Sequence, residues 1–201
     1  MKNMRLTVCI GIMCGWLAAG MLHAGTRPDH VRPVEEDGSR LWLPVIRPVE
    51  GAEVEITYKG KVSPTIAIAI AELKNAWKGD PVLLEKKKTG RGDGFAITSS
   101  EHQVRILSST ETGLLYGAYS LLRMQAAGQL TVPLSVTEQP AYDLRILNHW
   151  ENPDGTVERG YAGRSLWNWE ELPGTLSPRY EAYARANASV GINGTVLNNV
   201  N

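Results

Sequence analysis

The chain has 201 residues, with 21 basic side chains against 21 acidic ones and 43% hydrophobic content, the profile of a globular protein. The charge balance gives no reason to expect nucleic acid, and the composition excludes a coiled coil, a low-complexity tail and a collagen-like polymer. The length accommodates one or two domains. It does not accommodate a complete (β/α)8 barrel of roughly 250 residues with anything else attached.

Residues 1–24 read as an export leader. Lys2 and Arg5 form a positive end, Leu6 to Leu22 carry neither acid nor base, and Ala24 places a small residue before a cut. Two alternatives stand beside cleavage. About 17 apolar residues sit at the low end of a membrane span, and Cys14 offers a lipid anchor, although Ile12 and Met13 lack the small side chains such a site prefers. Either way the protein is expected to be exported, to the periplasm or outside the cell. Both cysteines, Cys9 and Cys14, lie in this leader, so a mature chain from Gly25 has no disulfide, thiolate nucleophile or Cys metal site. Taking Lys2 and Arg5 from the 21 basic residues leaves 19 against 21 acidic ones, a net charge of −2. His30, His102 and His149 are too scattered for an HExxH site. No metal and no other cofactor is expected.

Residues 25–40 form a polar, Pro-containing lead-in. From 41 to 140, strand-like runs (LWLPVI, VEITY, PVLLE, FAIT, QVRIL, LTVPLSV) alternate with two helices. The first helix has Ser63 as N-cap, Pro64 at its first position, apolar Ile66, Ile70, Leu73 and Trp77 at helical spacing, and Gly79 as its stop. The second opens with a capping-box pattern over Ser108 to Glu111, carries Leu114, Leu115, Ala118, Leu121 and Leu122, and stops at Gly128. Two helices and several strands in about 100 residues predict a small α/β sandwich, helices on one sheet. The Gly90-Arg91-Gly92-Asp93-Gly94 run lacks the following helix that dinucleotide binding requires and reads as a flexible hairpin loop. The neighbouring Lys86-Lys87-Lys88 reads as a solvated turn.

From Tyr142 the character changes. Seven of the 13 aromatic residues after the leader lie between Tyr142 and Tyr183, among Asn, Arg, Glu and Gly. Leu144 to Leu147 reads as a strand running into a polar-aromatic loop. Ser177-Pro178 starts a helix through about Val190, with Gly191 to end it, and residues 194–201 read as a second buried strand. Strand, long loop, helix, strand is one βα unit of a parallel sheet plus the next strand. Functional groups in such units collect at the carboxyl ends of the strands, here Asn148-His149-Trp150-Glu151-Asn152, then Asn198-Asn199-Val200-Asn201. Amides and acids bond sugar hydroxyls, while an indole face covers the C–H side of a ring. Bland readings accompany these residues. Trp167 and Trp169 suit packing, Asn198 and Asn199 could satisfy loop backbone, and Glu158 with Arg159 could be a structural ion pair.

The run Arg145 to Gly155 (RILNHWENPDG), then Glu158 to Ser165 (ERGYAGRS) and Tyr183 to Asn201, closely resembles the start of the catalytic barrel in family 67 glycoside hydrolases, the xylan α-glucuronidases. Leu41-Trp42-Leu43, Asp93-Gly94-Phe95 and Gly113 to Gly117 resemble, more loosely, the family's N-terminal α/β domain, a fold shared with domain 2 of hexosaminidase-like enzymes. Two departures are visible: Glu151 stands where the family usually has Asp, and Pro153 replaces a more variable residue. The resemblance implies an α/β fold class, an accessory domain over 41–140 followed by the first βα unit and second strand of a truncated (β/α)8 barrel over 141–201. It implies inverting hydrolysis of the α-1,2 link between (4-O-methyl)glucuronic acid and xylo-oligosaccharide.

In that family the general acid and base lie on later strands, and no position of this chain matches them. The segment is expected to supply one wall of the sugar pocket: Trp150 against the ring, with Glu158, Arg159, Asn148, His149, Asn198, Asn199 and Asn201 as polar contacts. Arg159 suits a uronate carboxylate. The expected partner is a glucuronoxylan-derived oligosaccharide, with homodimerisation of a full-length enzyme left open. The chain is therefore expected to be an inactive N-terminal fragment, with two barrel strands leaving open edges. A secreted carbohydrate-binding module and a hexosaminidase-like glycosidase are the alternatives.

Overall fold

The computed structural model describes residues 54–197. The leader, the lead-in, the LWLPVI run and Asn198, Asn199 and Asn201 lie outside the described residues. Five strands form a mixed sheet: β1 (Ile56–Tyr58), β2 (Val82–Lys86), β3 (Phe95–Ser100), β4 (Gln103–Ser108) and β5 (Ser135–Glu138). Their spatial order is β1-β2-β4-β3-β5. The first three in that order run parallel, and β3 is antiparallel to both its neighbours. Alternation decides which face is core. On β4, Val104, Ile106 and Ser108 are buried, whereas Gln103, Arg105 and Leu107 are half-buried on the other face. The register sets Leu84 and Ile97 on either side of Ile106.

Helices α1 (Pro64–Ala76) and α2 (Glu111–Ala126) contribute the rest of this core. Ile66, Leu73, Leu84, Ile97, Ile106, Leu114 and Leu121 are all at 0% exposure. Burial of each is worth roughly 1.5–3 kcal/mol. A Cβ added at Gly117 would strike Ile106, which is why α2 can lie so close to the sheet there. Ser63 caps α1, its hydroxyl accepting from the Ile66 N–H at 3.3 Å. That helix ends at Ala76, ahead of the expected Gly79, because Trp77 turns into extended backbone and is buried with its indole N–H on the Asp80 carbonyl at 2.7 Å. The C-terminal end of α1 is closed from α2, where Gln125 Nε2 donates to the Ala76 carbonyl at 2.8 Å.

Three expectations need correction. The cap of α2 is Thr110, which accepts from Gly113 N–H at 2.9 Å, and no capping box forms. Ser108 stays in β4 and donates to the Gly94 carbonyl, while Glu111 accepts from the Ser63 hydroxyl. The Gly90–Gly94 run is not a hairpin loop, since β4 lies between the strands it joins; the hairpin is β3–β4. Nor is the run free: Arg91 N–H donates to Gln139 Oε1 at 3.0 Å and Asp93 accepts from the Thr110 hydroxyl at 3.0 Å. Of LTVPLSV only the end is strand, because Pro133 has no N–H to give a ladder and the Leu134 N–H is taken by Ser99 Oγ at 2.7 Å.

The later segment holds β6 (Ile146–Asn148), α3 (Pro178–Ser189) and β7 (Gly194–Val196), with β6 and β7 paired in parallel. Ser177 caps α3, and Gly191 takes the left-handed conformation, φ 79°, just beyond its end. Contrary to expectation β7 is not buried: Val196 is 37% exposed, and the two-stranded sheet has no further strand among the described residues. All described residues lie in one compact unit. Arg185 on α3 grips Glu72 on α1 through Nε at 2.5 Å and Nη2 at 2.9 Å, and Tyr119 donates to the same carboxylate at 3.3 Å. Arg145 before β6 reaches Asp93 at 3.3 Å and the Gly191 carbonyl at 2.5 Å, and its guanidinium lies 5.5 Å from the Tyr116 ring centroid. Among the described residues no helix is long and apolar enough to cross a membrane.

Candidate functional site

The alternation of β6 continues past its last residue. Asn148 is exposed, His149 turns inward, Trp150 is 52% exposed and Glu151 is buried. The His149 N–H donates to the Val196 carbonyl at 2.9 Å, which extends the pairing with β7 by one rung. Beyond it, the Glu158 N–H donates to the Trp150 carbonyl at 2.6 Å, and the Asn152 side-chain amide donates to the Glu158 carbonyl at 2.6 Å. Glu158 is held in left-handed backbone, φ 53°, a conformation that few residues other than Gly, Asn or Asp adopt. These bonds fix the main chain at Trp150 while leaving its indole free to face solvent.

Behind the indole lies a polar-aromatic core. His149 Nδ1 meets Glu151 Oε1 at 2.7 Å and Nε2 meets the Tyr183 hydroxyl at 2.5 Å. The Tyr183 oxygen lies 3.3 Å from Thr195 Oγ1 on β7. The other oxygen of Glu151 accepts from the Ser165 hydroxyl and from Leu166 N–H at 2.7 Å. Trp167 covers the cluster, with ring centroids 5.5 Å from His149, 5.3 Å from Tyr183 and 5.1 Å from Tyr180. The indole N–H groups of Trp167 and Trp169 are buried without an acceptor among the described residues.

The structure brings Asn148, His149, Trp150 and Glu158 together around one strand end. Arg159 lies with Glu158, Asp154 and Asn152 on an open depression of about 820 Å³. The ion-pair reading of Glu158 with Arg159 does not describe the contact made: the Glu158 carboxylate engages the Tyr161 hydroxyl, pushing that phenol up from its ordinary value. Asp154 in the same loop has its carboxyl held below the ordinary range by the Thr156 hydroxyl and N–H. His149 spends both ring nitrogens inside the protein, so its imidazole faces the core. Among the described residues no three His, Cys, Asp or Glu side chains gather as a metal site. Sequence reasoning missed Tyr183, Thr195 and Ser165. The signal available for them was thin: Tyr183 and Thr195 bracket a helix–strand turn, and only the fold brings them to His149.

Residues 124–201 match the model of the glycosyl hydrolase family 67 middle domain. By that match the segment resembles glycosyl hydrolase family 67. Curated relatives agree. The chain is 42% identical over 110 residues to a probable alpha-glucuronidase A of Aspergillus clavatus, covering 54% of this chain and 13% of the relative. It is 44% identical over 110 residues to the corresponding protein of Neosartorya fischeri, with the same coverage of both chains. It is 40% identical over 109 residues to alpha-glucuronidase A of Aspergillus tubingensis, again 54% of this chain and 13% of that one. The chain spans about 13% of the length of these relatives. A solved GH138 enzyme targeting pectin rhamnogalacturonan II is similar in fold, with TM-score 0.52 and 15% identity over 71% of this chain and 18% of that one. The matched segment contains the whole Trp150 strand end, the aromatic core behind it, and Arg145 and Arg185.

Proposed function

We propose that this chain is the N-terminal part of an exported α-glucuronidase. The full-length enzyme hydrolyses the α-1,2 link between (4-O-methyl)glucuronic acid and xylo-oligosaccharide with inversion. In this reading residues 1–24 are the leader and 41–140 an α/β sandwich of the hexosaminidase domain 2 kind. Residues 141–201 open a (β/α)8 barrel, with β6, α3 and β7 as its first unit and second strand. The buried indole N–H groups of Trp167 and Trp169 then await acceptors from the rest of the barrel.

The observation that carries the proposal is Trp150. A large aromatic side chain is 52% exposed at the carboxyl end of a parallel strand, with its main chain tied on both sides and polar groups around it. The indole covers the C–H face of the glucuronic acid ring. Asn148 and Glu158 bond its hydroxyls, and Arg159 meets the uronate carboxylate. His149 supports this wall from behind, and Asn198, Asn199 and Asn201, outside the described residues, are proposed as further polar contacts to the sugar. The acid and base come from elsewhere in the full-length enzyme: one carboxyl protonates the leaving oxygen, and a carboxylate takes a proton from the water that attacks the opposite face.

The test is Trp150→Ala in the full-length enzyme, assayed on xylo-oligosaccharides bearing 4-O-methylglucuronic acid. Loss of the ring-stacking surface is expected to lower kcat/KM by about tenfold or more with the melting temperature unchanged. Wild-type kcat/KM in that variant would reject the pocket-wall assignment. The 201-residue chain alone is expected to release no glucuronic acid.

A further inference from the structure

The aromatic core behind Trp150 has a division of labour that the proposed function does not by itself require. Trp150 lies between two inward-facing residues, His149 and Glu151, whose side chains are 18% and 6% exposed. Period-two alternation puts those two on one side of the chain and the indole on the other. Glu151 is the hub. One oxygen takes His149 Nδ1 at 2.7 Å, and the other takes the Ser165 hydroxyl and Leu166 N–H, so one carboxylate closes the whole 152–164 excursion onto the strand end. An ionised carboxylate only accepts, which assigns the proton to Nδ1; a neutral ring then receives the Tyr183 hydroxyl hydrogen at Nε2. Tyr183 and Thr195 carry the connection to α3 and β7.

We infer that Glu151 and His149 are a positioning pair for the indole of Trp150, holding it ready for the sugar ring rather than touching substrate. The inference rests on the pocket-wall role of Trp150. The geometry supports it in three ways. The pair flanks Trp150 on both sides in sequence. Its hydrogen bonds are directed to the loop, the helix and the second strand, so the strand end is fixed from three directions. Among the described residues no side-chain bond restrains the indole itself, so its placement depends there on the main chain at 149–151. A buried network of this kind holds one arrangement only while every member is satisfied.

The experiment is a double-mutant cycle in the full-length enzyme with Glu151→Gln, Trp150→Ala and the combination, reading kcat and KM separately on the aldouronic substrate. Gln keeps the size of the side chain but presents an NH2 group where two donors now converge. The pair's role predicts a KM raised about tenfold with kcat changed less than about threefold, the size usual for losing an outer support of a binding group. It also predicts that Glu151→Gln adds nothing once Trp150 is already Ala. Additive effects of the two changes, or a wild-type KM in Glu151→Gln, would overturn the inference while leaving the pocket wall standing. An inert Trp150→Ala would overturn both. Should Glu151→Gln fold poorly, Tyr183→Phe removes only the hydroxyl on His149 and Thr195 and keeps the ring against Trp167. It is expected to raise KM about threefold, again only when Trp150 is present, and an unchanged KM there counts against the pair.

Discussion

The sheet region and the segment from Asp143 to Leu197 keep their interiors together by opposite means. Around β1–β5 the buried set is Leu, Ile, Val, Ala and aromatic, and among the described residues only two polar side chains are buried with it, Ser108 on the Gly94 carbonyl and Ser120 on the Glu138 carboxylate. In the later segment Glu151, Asn187, Ser189 and Trp167 are buried, and side chain bonds side chain from Glu151 through His149 and Tyr183 to Thr195. The first arrangement draws its stability from area removed from water, which tolerates volume-conserving exchange. The second draws less from area but specifies one geometry, and it fails when a single donor or acceptor is removed. A binding wall belongs on the second kind of support.

The largest effect that would test this contrast is a cavity in the sheet region. Leu114→Ala, at a fully buried position on α2, is expected to cost about 3 kcal/mol in denaturant unfolding and to keep the arrangement around Trp150 in whatever remains folded. A loss below about 1 kcal/mol would mean that the region is not packed as described.

Next comes Arg185→Met, which leaves Glu72 without its cation. Arg185 is 35% exposed in its side chain and Glu72 13%, so the cost is expected near 2 kcal/mol, less than for a fully buried pair. Hydrogen exchange should quicken in α3 and β7 and stay slow in β3 and β4. Uniform quickening would instead make the two regions one cooperative block.

The smallest effect concerns the solvent face of the sheet. Arg105 donates to Glu85 at 2.5 Å, and this bond chiefly holds the Glu85 carboxyl below its ordinary 4.5, with Lys59 adding to it. A lowered value in the folded state means that the unfolded chain binds more protons as pH falls. The contribution is therefore complete above pH 4.5 and is lost progressively below it. Arg105→Gln should flatten that acid slope slightly in pH-dependent melting, and a slope equal to wild type would remove the bond from the account.

Much of the sheet region is legible in the sequence because its rules are local. Ser63-Pro64 marks a helix start, apolar spacing marks its buried face, and alternation in QVRIL marks β4. The expectations that failed were those in which distant groups compete. Ser108 could cap α2 or finish β4, and pairing with Phe95 kept it in the strand. The Gly90–Gly94 turn chemistry says nothing about which strand fills the space between its ends. At the site, Trp150 and Glu158 stand near a strand end that sequence spacing can place. Tyr183 lies 34 residues from His149, and nothing in either local pattern announces their meeting.

The grip of Arg185 on Glu72 joins residues 113 positions apart. On a ribosome adding 5–20 residues per second, roughly 6–23 s separate the appearance of the two. Strands β2 to β5 are synthesised in that interval, while α3, whose Ala188 packs against the apolar core, follows them. In the folded chain the Tyr119 hydroxyl donates to the same Glu72 carboxylate. The bond to Arg185 is then made by one folded surface receiving the next helix. Its strength reports the seating of α3 on the sheet region.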